Sequence, residues 1–150
     1  MMDRNIGMTP SDRPILLVED NPMDVDLTRR AFIRRKIDHP IEVARDGEEA
    51  LSLIATWGEQ RPVPLLILLD LKLPKVDGLE VLRHLKSHPR FHVIPVVILS
   101  TSTEERDIQI AYREGANSFI VKPVDFDHFM QIVDNIQIYW CMLNTPPPNP

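Results

Sequence analysis

The chain has 150 residues, which is the length of one ordinary domain and leaves no room for a separate output domain. Its 17 Lys and Arg residues against 22 Asp and Glu residues give a net charge of −5, which excludes a broad basic surface for nucleic acid. A single cysteine, Cys141, excludes an internal disulfide framework, and neither a signal peptide nor a membrane-spanning apolar stretch is recognisable. We therefore expect a cytoplasmic protein that binds neither nucleic acid nor a membrane.

Five short apolar runs alternate with longer amphipathic stretches along the chain. This alternation is typical of βα units, so we expect a parallel sheet with helices on both faces. The third and fourth runs are continuously apolar, as central parallel strands are, whereas Glu42 marks the second run as an edge strand. The predicted strands are Ile15–Val18, Ile41–Ala44, Leu65–Leu69, Val96–Leu99 and Phe119–Val121.

Start signals precede the predicted helices. Asn21 and Pro22 supply a cap and a suitable first residue for the first helix. Asp46 with Glu49 three positions later resembles a capping box at the start of the second helix. The remaining predicted helices cover Gly78–Ser87, Glu104–Glu114 and Asp125–Leu143.

Polar side chains follow four of the five predicted strands, at the edge where ligands bind in open parallel sheets. Clustered carboxylates repel one another unless a cation lies between them, and so few oxygen ligands favour Mg²⁺ over Ca²⁺. A lysine and a serine beside that metal can bind phosphoryl oxygens, while one carboxylate attacks phosphorus to form an aspartyl phosphate. The residues are Glu19, Asp20, Asp70, Ser100 and Lys122.

Each of these residues also has an ordinary interpretation when it is taken alone. Asp20 can be a helix cap, and Lys122 can be a solvated surface lysine. The placement of all of them at the corresponding ends of different strands favours a common site.

Four fragments in chain order resemble the receiver domain of bacterial response regulators. They are Val18–Asn21, Leu68–Gly78, Ile98–Thr101 and Val121–Pro123, and the likeness extends over residues 13–139. The resemblance implies a flavodoxin-like (βα)5 fold, in which a doubly wound five-stranded parallel sheet has the order 2-1-3-4-5. It also implies a single-domain response regulator of a two-component phosphorelay, which signals by conformational change and partner binding rather than by metabolic turnover.

The resemblance implies a role for each matching acidic residue. Asp70 would be the phosphoacceptor, which takes a phosphoryl group from a sensor histidine kinase or a phosphotransfer protein. Asp20 and Asp70 would bind Mg²⁺ together with the backbone carbonyl of Lys72, and Glu19 would act mainly through a bound water. The Lys72 side chain stands at a position that tunes autodephosphorylation in the family, so the lifetime of the phosphoryl group is left open.

Three further residues would carry the response to phosphorylation. Ser100 replaces the commoner threonine and would turn its hydroxyl toward the phosphoryl group, while Lys122 would pair with that group. Phe119 stands where the family has a Tyr or Phe that moves inward on activation, although a core aromatic residue is an equally good interpretation. The bond between Lys122 and Pro123 would be cis.

The end of the chain is richer in apolar and aromatic residues than one buried helix face requires, and it closes with a proline-rich segment. It is similar to the ends of receivers associated with phytochrome-type histidine kinases, several of which dimerise through a C-terminal arm. We expect a homodimer whose arm includes Tyr139, Trp140 and Leu143, with a frayed helix and a disordered tail as the alternative. The predicted organisation is a flexible N-terminus at 1–12, the receiver domain at 13–137, and the helix extension and arm at 138–150.

A phosphatase of the haloacid-dehalogenase type is the alternative function, because it also combines a nucleophilic Asp, a strand-end Ser or Thr and a Lys. Its nucleophile normally follows the first strand, with an acid two positions later. Asp70 follows the third predicted strand, and Lys72 stands two positions after it. The pattern therefore favours the receiver.

Overall fold

Five parallel strands form one sheet in the computed structural model, which describes residues 13–35 and 39–150. The strand order is β2-β1-β3-β4-β5, so the predicted topology is confirmed and β2 lies at an edge. The predicted flexible N-terminus at 1–12 lies outside the described residues. The strands are β1 (Ile15–Val18), β2 (Ile41–Ala44), β3 (Leu66–Leu69), β4 (Val96–Ser100) and β5 (Ser118–Val121).

Helices connect the strands, and within the described ranges none is long and apolar enough to cross a bilayer. The single helix predicted for 125–143 changes its winding after Ile136 and continues as a π-helix. The α-helices are α1 (Pro22–Arg35), α2 (Gly47–Ile54), α3 (Gly78–Ser87), α4 (Glu105–Arg113) and α5 (Phe126–Ile136). A short 3₁₀ turn covers Phe91–Val93, and the π-helix covers Gln137–Leu143.

Side-chain caps begin α1 and α2 at the predicted places. The Asn21 carboxamide oxygen accepts the N–H of Met23 at 2.9 Å at the start of α1. The Asp46 carboxylate accepts the N–H of Glu49 at 2.7 Å at the start of α2. These bonds satisfy N–H groups that the first helical turn leaves unpaired, and so they set where each helix leaves the sheet edge.

Alternating residues of each strand pack against different helices. Leu16 and Val18 of β1 belong to a buried cluster with residues of α2, α3 and α4. Ile15 and Leu17 belong to a second buried cluster with residues of α1 and α5. The sheet is therefore the middle layer of a three-layer αβα arrangement, as expected from the continuously apolar central strands.

The register of the sheet brings the carboxyl ends of the strands to one edge. The last residue of β1, Val18, is paired with Ala44 at the end of β2 and with Leu69 at the end of β3. Ser100 at the end of β4 is paired with Val121 at the end of β5. Because the strands are parallel and in step, the residues that follow them converge on a common edge.

The π-helix packs one side against the core and exposes the other. Trp140 and Cys141 lie against the cluster formed with α1 and α5, whereas Tyr139 and Leu143 are 51% and 70% exposed. The widened winding is closed by a bond from the N–H of Asn144 to the carbonyl of Tyr139 at 2.6 Å. Burial of the thiol raises the pKa of Cys141 to about 11.

The raised pKa of Cys141 predicts a slow reaction with alkylating reagents, because the thiolate is the nucleophile. At pH 8 only about one thiol in a thousand is ionised, so alkylation by iodoacetamide should be roughly a hundredfold slower than in the unfolded chain. The rate should then rise about tenfold per pH unit up to pH 10. Intact-mass kinetics measure it, and Cys141 is the single cysteine that can react.

The same reaction in concentrated guanidinium chloride is the control, since unfolding restores the ordinary thiol pKa. A native rate at pH 8 equal to the rate of the unfolded chain would contradict the burial of Cys141.

Candidate functional site

Backbone hydrogen bonds continue the sheet just past the ends of the strands. The N–H of Glu19 donates to the carbonyl of Ala44 at 2.9 Å, and the N–H of Asp70 donates to the carbonyl of Val18 at 3.0 Å. On the other side of the sheet, the N–H of Lys122 donates to the carbonyl of Ser100 at 2.7 Å. The polar residues at this edge are thus held by the sheet itself and not by flexible loops.

Three carboxylates meet at this edge. Glu19, Asp20 and Asp70 each offer an oxygen, and these oxygens lie within 4.8 Å of one another. Glu19 and Asp70 are buried, whereas Asp20 is exposed at the mouth of the cluster. The predicted convergence of these residues is confirmed by the structure.

The ammonium group of Lys122 lies among carboxylates with its side chain only 6% exposed. It donates to Glu19 Oε1 at 2.5 Å, to Asp24 Oδ2 at 3.0 Å and to Asp70 Oδ2 at 3.2 Å. The interpretation of Lys122 as a solvated surface residue is therefore wrong. A buried cation bound to three anionic acceptors is an electrostatic centre of the site.

Burial and charge shift the pKa values of this ion pair. Burial raises the pKa of Glu19 to about 7, and the nearby charge of Asp70 adds to that rise, while the hydrogen bond from Lys122 opposes it. Burial lowers the pKa of Lys122, but the hydrogen bond and charge of Glu19, the charge of Asp70 and the hydrogen bond to Asp24 outweigh it and raise this pKa above its ordinary value. The lysine therefore stays protonated, and the acidic groups around it retain an excess of negative charge.

A divalent cation suits the donor set at this edge. Three carboxylates within reach of one another are hard oxygen ligands, and the exposed Asp20 leaves the cluster accessible from solvent. Lys122 neutralises only one of the negative charges it contacts. The charge and chemistry of the residues fit a small divalent metal ion.

The loop after β3 holds Asp70 in a fixed orientation. The N–H of Lys72 donates to Asp70 Oδ1 at 3.2 Å, while the Lys72 side chain is exposed. At Gly78, a Cβ atom would lie 2.2 Å from the carbonyl oxygen of Asp70, so this close approach requires glycine. Lys72 and Asp107 both line a small cavity of about 100 Å³ between this loop and α4.

Ser100 reaches the same edge, but its hydroxyl is engaged elsewhere. Its side chain is fully buried, and its Oγ accepts the N–H of Ser102 at 3.2 Å. Within residues 13–35 and 39–150, no hydrogen bond joins the Ser100 hydroxyl to the three carboxylates. The Ser102 hydroxyl donates to Asp107 Oδ2 at 2.5 Å and so links this strand end to α4.

Phe119 lies on β5 and is half-buried against the cluster formed with α2, α3 and α4. Its N–H donates to the hydroxyl of Tyr112 on α4 at 3.1 Å. The residue therefore packs against the core and is also in contact with α4, which is compatible with both interpretations of Phe119.

The predicted cis bond between Lys122 and Pro123 is wrong. The part of the chain that the structure describes contains no cis peptide bond. The trans isomer is the lower in free energy even before proline.

Asp24 and Asp107 are site residues that the sequence analysis missed. Asp24 lies in the first turn of α1, where an acidic residue is ordinarily explained by the helix dipole. Asp107 lies in the first turn of α4, where the same explanation applies. For Asp24, the one available signal was its position four residues after Asp20.

The model of the response regulator receiver domain matches residues 15–134, which include all five strands. The chain belongs to the response regulator receiver family. It is 44% identical over 134 residues to the probable methanogenesis regulatory protein FilR2 of Methanothrix harundinacea, covering 89% of this chain and 86% of FilR2. It is 38% identical over 135 residues to the response regulator Rcp1 of Synechocystis sp., covering 89% of this chain and 92% of Rcp1.

Solved structures of receivers are similar along nearly the whole chain. The phosphorylated cyanobacterial phytochrome response regulator RcpA is 41% identical, with a TM-score of 0.86 over 91% of this chain and 99% of RcpA. The Mn²⁺-bound form of Rcp1 is 38% identical, with a TM-score of 0.85 over 90% of this chain and 99% of Rcp1. The predicted family, receiver fold and likeness to phytochrome-associated regulators are confirmed. Membership of this family decides against the haloacid-dehalogenase alternative.

The crowding of charge in this receiver domain predicts opposite effects of Asp20→Asn on stability and on metal binding. Asp20 lies close to Glu19 and Asp70 and, unlike them, forms no ion pair with Lys122 within the described residues. Removing its charge relieves repulsion, so the metal-free melting temperature should rise by a few degrees. Mg²⁺ should bind at least tenfold more weakly, because a ligand charge is lost.

Differential scanning calorimetry in chelator and a Mg²⁺ titration measure the two effects. Glu59→Gln is the matched control, since it removes one negative charge from an exposed turn after α2. A fall in the metal-free melting temperature of Asp20→Asn would contradict the repulsion argument.

Proposed function

We propose that Asp70 is the phosphoacceptor of a two-component phosphorelay. The observation that carries the proposal is the position of its carboxylate, which lies within 4.8 Å of carboxylate oxygens of Glu19 and Asp20 and 3.2 Å from the Lys122 ammonium. Both oxygens of Asp70 are oriented by N–H donors, one from the Lys72 backbone and one from Lys122. An oriented carboxylate beside a cation is suited to attack on phosphorus.

The proposed reaction transfers a phosphoryl group from a phosphohistidine of the donor. A carboxylate oxygen of Asp70 forms the new O–P bond while the P–N bond breaks, and the imidazole nitrogen keeps the electron pair and takes up a proton. Lys122 offsets part of the negative charge on the phosphoryl oxygens. Its burial strengthens this interaction, because little water screens the charges.

Glu19, Asp20 and Asp70 would hold Mg²⁺, together with the backbone carbonyl of Lys72. The metal supplies positive charge beside the phosphoryl oxygens when it is bound. Glu19 is 2% exposed and accepts the N–H of Asn21 as well as the Lys122 ammonium, so it would act mainly through a bound water. The Mn²⁺-bound form of Rcp1 supports a divalent ion in this type of site.

Ser100 and Phe119 would carry the response to phosphorylation. If the Ser100 hydroxyl turns to the phosphoryl group, it gives up the N–H of Ser102. Ser102 is bonded to Asp107 on α4, and Phe119 is bonded to Tyr112 on the same helix. Changes at the phosphoryl group would therefore reach α4 through the Ser102–Asp107 and Phe119–Tyr112 contacts. They would alter the surface of α4 to which a partner binds.

A sensor histidine kinase would be the phosphoryl donor. Exposed apolar side chains follow β1 and β5 near the site: Met23 in the first turn of α1, Val124 in the loop after β5 and Phe126 at the start of α5. Such side chains can pack against a helix of the donor. The similarity to RcpA, a phytochrome response regulator, supports a phytochrome-type kinase as the donor.

The C-terminal extension would form a homodimer with a second copy of the chain. Tyr139 and Leu143 expose more than half of their surface, while Trp140 packs inward and forms an edge-to-face pair with Tyr139 at 4.9 Å. A groove of about 470 Å³ lies beside them, between the edge strand β5 and α5. Exposed aromatic and aliphatic groups next to an unpaired sheet edge favour association.

Phosphorylation by a small donor predicts a covalent adduct at Asp70. With acetyl phosphate and Mg²⁺, the intact mass should increase by one phosphoryl group, and Asp70→Asn should abolish the increase. Asp26→Asn is the matched control, since it makes the same change at an exposed carboxylate that pairs with Arg30. Unchanged labelling of the Asp70→Asn variant would overturn the assignment of the phosphoacceptor.

The dimer predicts a dependence on the exposed residues of the extension. Sedimentation at micromolar concentration should give a dimer for the unmodified chain and a monomer for a Tyr139→Ser, Leu143→Ser variant. Point changes are preferable to truncation after Asn135, because Ile136 and Gln137 are buried in the domain. Ile33→Ser, which removes an apolar residue 75% exposed on α1, is the control.

A monomer before and after the double change would show that the extension is not a dimer arm.

A further inference from the structure

All three N–H donors of the Lys122 ammonium are in use. They bond to Glu19, Asp24 and Asp70 at 2.5, 3.0 and 3.2 Å. An ammonium group has three donors and no more. Asp70 already accepts one of these donors, so a phosphoryl group on Asp70 gains a second hydrogen bond from Lys122 only if Glu19 or Asp24 gives one up.

The three acceptors differ in how easily each can be released. Phosphorylation converts the Asp70 carboxylate to an acyl phosphate, so the donor that Asp70 now accepts can pass to the phosphoryl group on the same residue. The Glu19 side chain is 3% exposed and has the shortest contact, so releasing it would leave a buried charge without its cation. The Asp24 side chain is 20% exposed and has a longer contact, so water can replace the lysine there.

The first turn of α1 fixes Asp24 in this position. The carboxamide oxygen of Asn21 caps the helix through the N–H of Met23, and the Thr28 hydroxyl donates to the backbone carbonyl of Asp24 at 2.7 Å. Asp26 lies two residues further along the same helix, and its carboxylate pairs with the exposed Arg30 instead. A helix-dipole effect explains an acid in this turn but does not explain its contact with a buried ammonium.

We propose that Asp24 is a positioning residue that holds Lys122 in the unphosphorylated state and releases it to the phosphoryl group. This inference rests on the proposed function, because it assigns Lys122 to the phosphoryl oxygens. Asp24 thereby stabilises the unphosphorylated state selectively, since its bond to the lysine is lost on phosphorylation. Weakening that bond should favour the phosphorylated state.

The test measures the binding of beryllofluoride, a stable analogue of a phosphoryl group on a carboxylate, at saturating Mg²⁺. Asp24→Asn keeps the shape and an acceptor oxygen but removes the charge, so beryllofluoride should bind about fivefold more tightly than to the unmodified chain. The bound ¹⁹F signal measures the affinity. A loss of structure alone would weaken binding, so the sign of the change separates a positioning role from a structural one.

Asp26→Asn is the matched control, because it removes the same charge from the same helix without touching Lys122. It should leave the affinity within about twofold of the unmodified chain, since its charge is screened by solvent. Repeating the titrations in about 1 M salt, where the Debye length is about 3 Å, removes general charge effects but not a contact. The gain of Asp24→Asn should persist there.

Three results would overturn the proposal: an unchanged affinity of Asp24→Asn, a weaker affinity, or a gain that disappears in high salt. Thermal unfolding checks that the variant is folded, and Asp24→Ser replaces it if it is not. Binding of beryllofluoride by the unmodified chain separates this proposal from the proposed function. If the unmodified chain binds no beryllofluoride at all, the phosphoacceptor assignment fails, whereas binding by the unmodified chain with no gain in Asp24→Asn rejects only the role of Asp24.

Discussion

The ion pairs of Lys122 are the interaction on which the organisation of the site depends. Glu19 and Asp70 are buried at neighbouring strand ends, and two buried carboxylates at such a distance repel each other. The ammonium of Lys122 compensates this repulsion from β5, at the far edge of the sheet, and also reaches Asp24 on α1. One side chain therefore connects β1, β3, β5 and the first helix. Removing it would leave uncompensated buried charge, which is far more destabilising than losing an exposed ion pair.

In the same arrangement, several charged groups compete for the same partners. Under the proposed function, a divalent metal and a phosphoryl group would join Lys122 in acting on the carboxylates of Glu19 and Asp70, so a change in one would alter the partners available to the others. The sheet keeps these groups in place, since backbone hydrogen bonds extend past the ends of β1, β3 and β5. Rigid placement of the charges, with a small number of contacts that can change partner, would allow the site two arrangements, one without and one with the phosphoryl group.

The two ends of β5 have different surroundings. Its carboxyl end leads into Lys122 and the charged site, whereas Asn117 and Ser118 at its amino end line the groove beside the C-terminal extension. Phe119 lies between them and contacts both the core and α4. This strand therefore separates the charged site from the exposed apolar groups of the extension that we propose as the dimer surface.

The sequence by itself determined the topology and most of the site. Continuous apolar runs such as Leu66–Leu69 can be buried only between two layers of helices, and parallel strands place the residues after them at one edge. Glu19, Asp20, Asp70 and Lys122 were therefore predictable from position alone. Residues such as Asp24 were not, because an acid in the first turn of a helix already has a local explanation in the helix dipole.

Only the tertiary structure decided which contacts these side chains make. The contact of Asp24 with Lys122 joins residues that are 98 positions apart, and its existence depends on how α1 packs beside β5. Likewise, adjacent aromatic residues in the extension divide between exposure at Tyr139 and packing at Trp140 because of π-helical winding after Ile136. Hydrophobic periodicity specifies which layer an element joins, but a hydrogen bond requires atoms within about 3 Å, and that distance is set by packing across the whole domain.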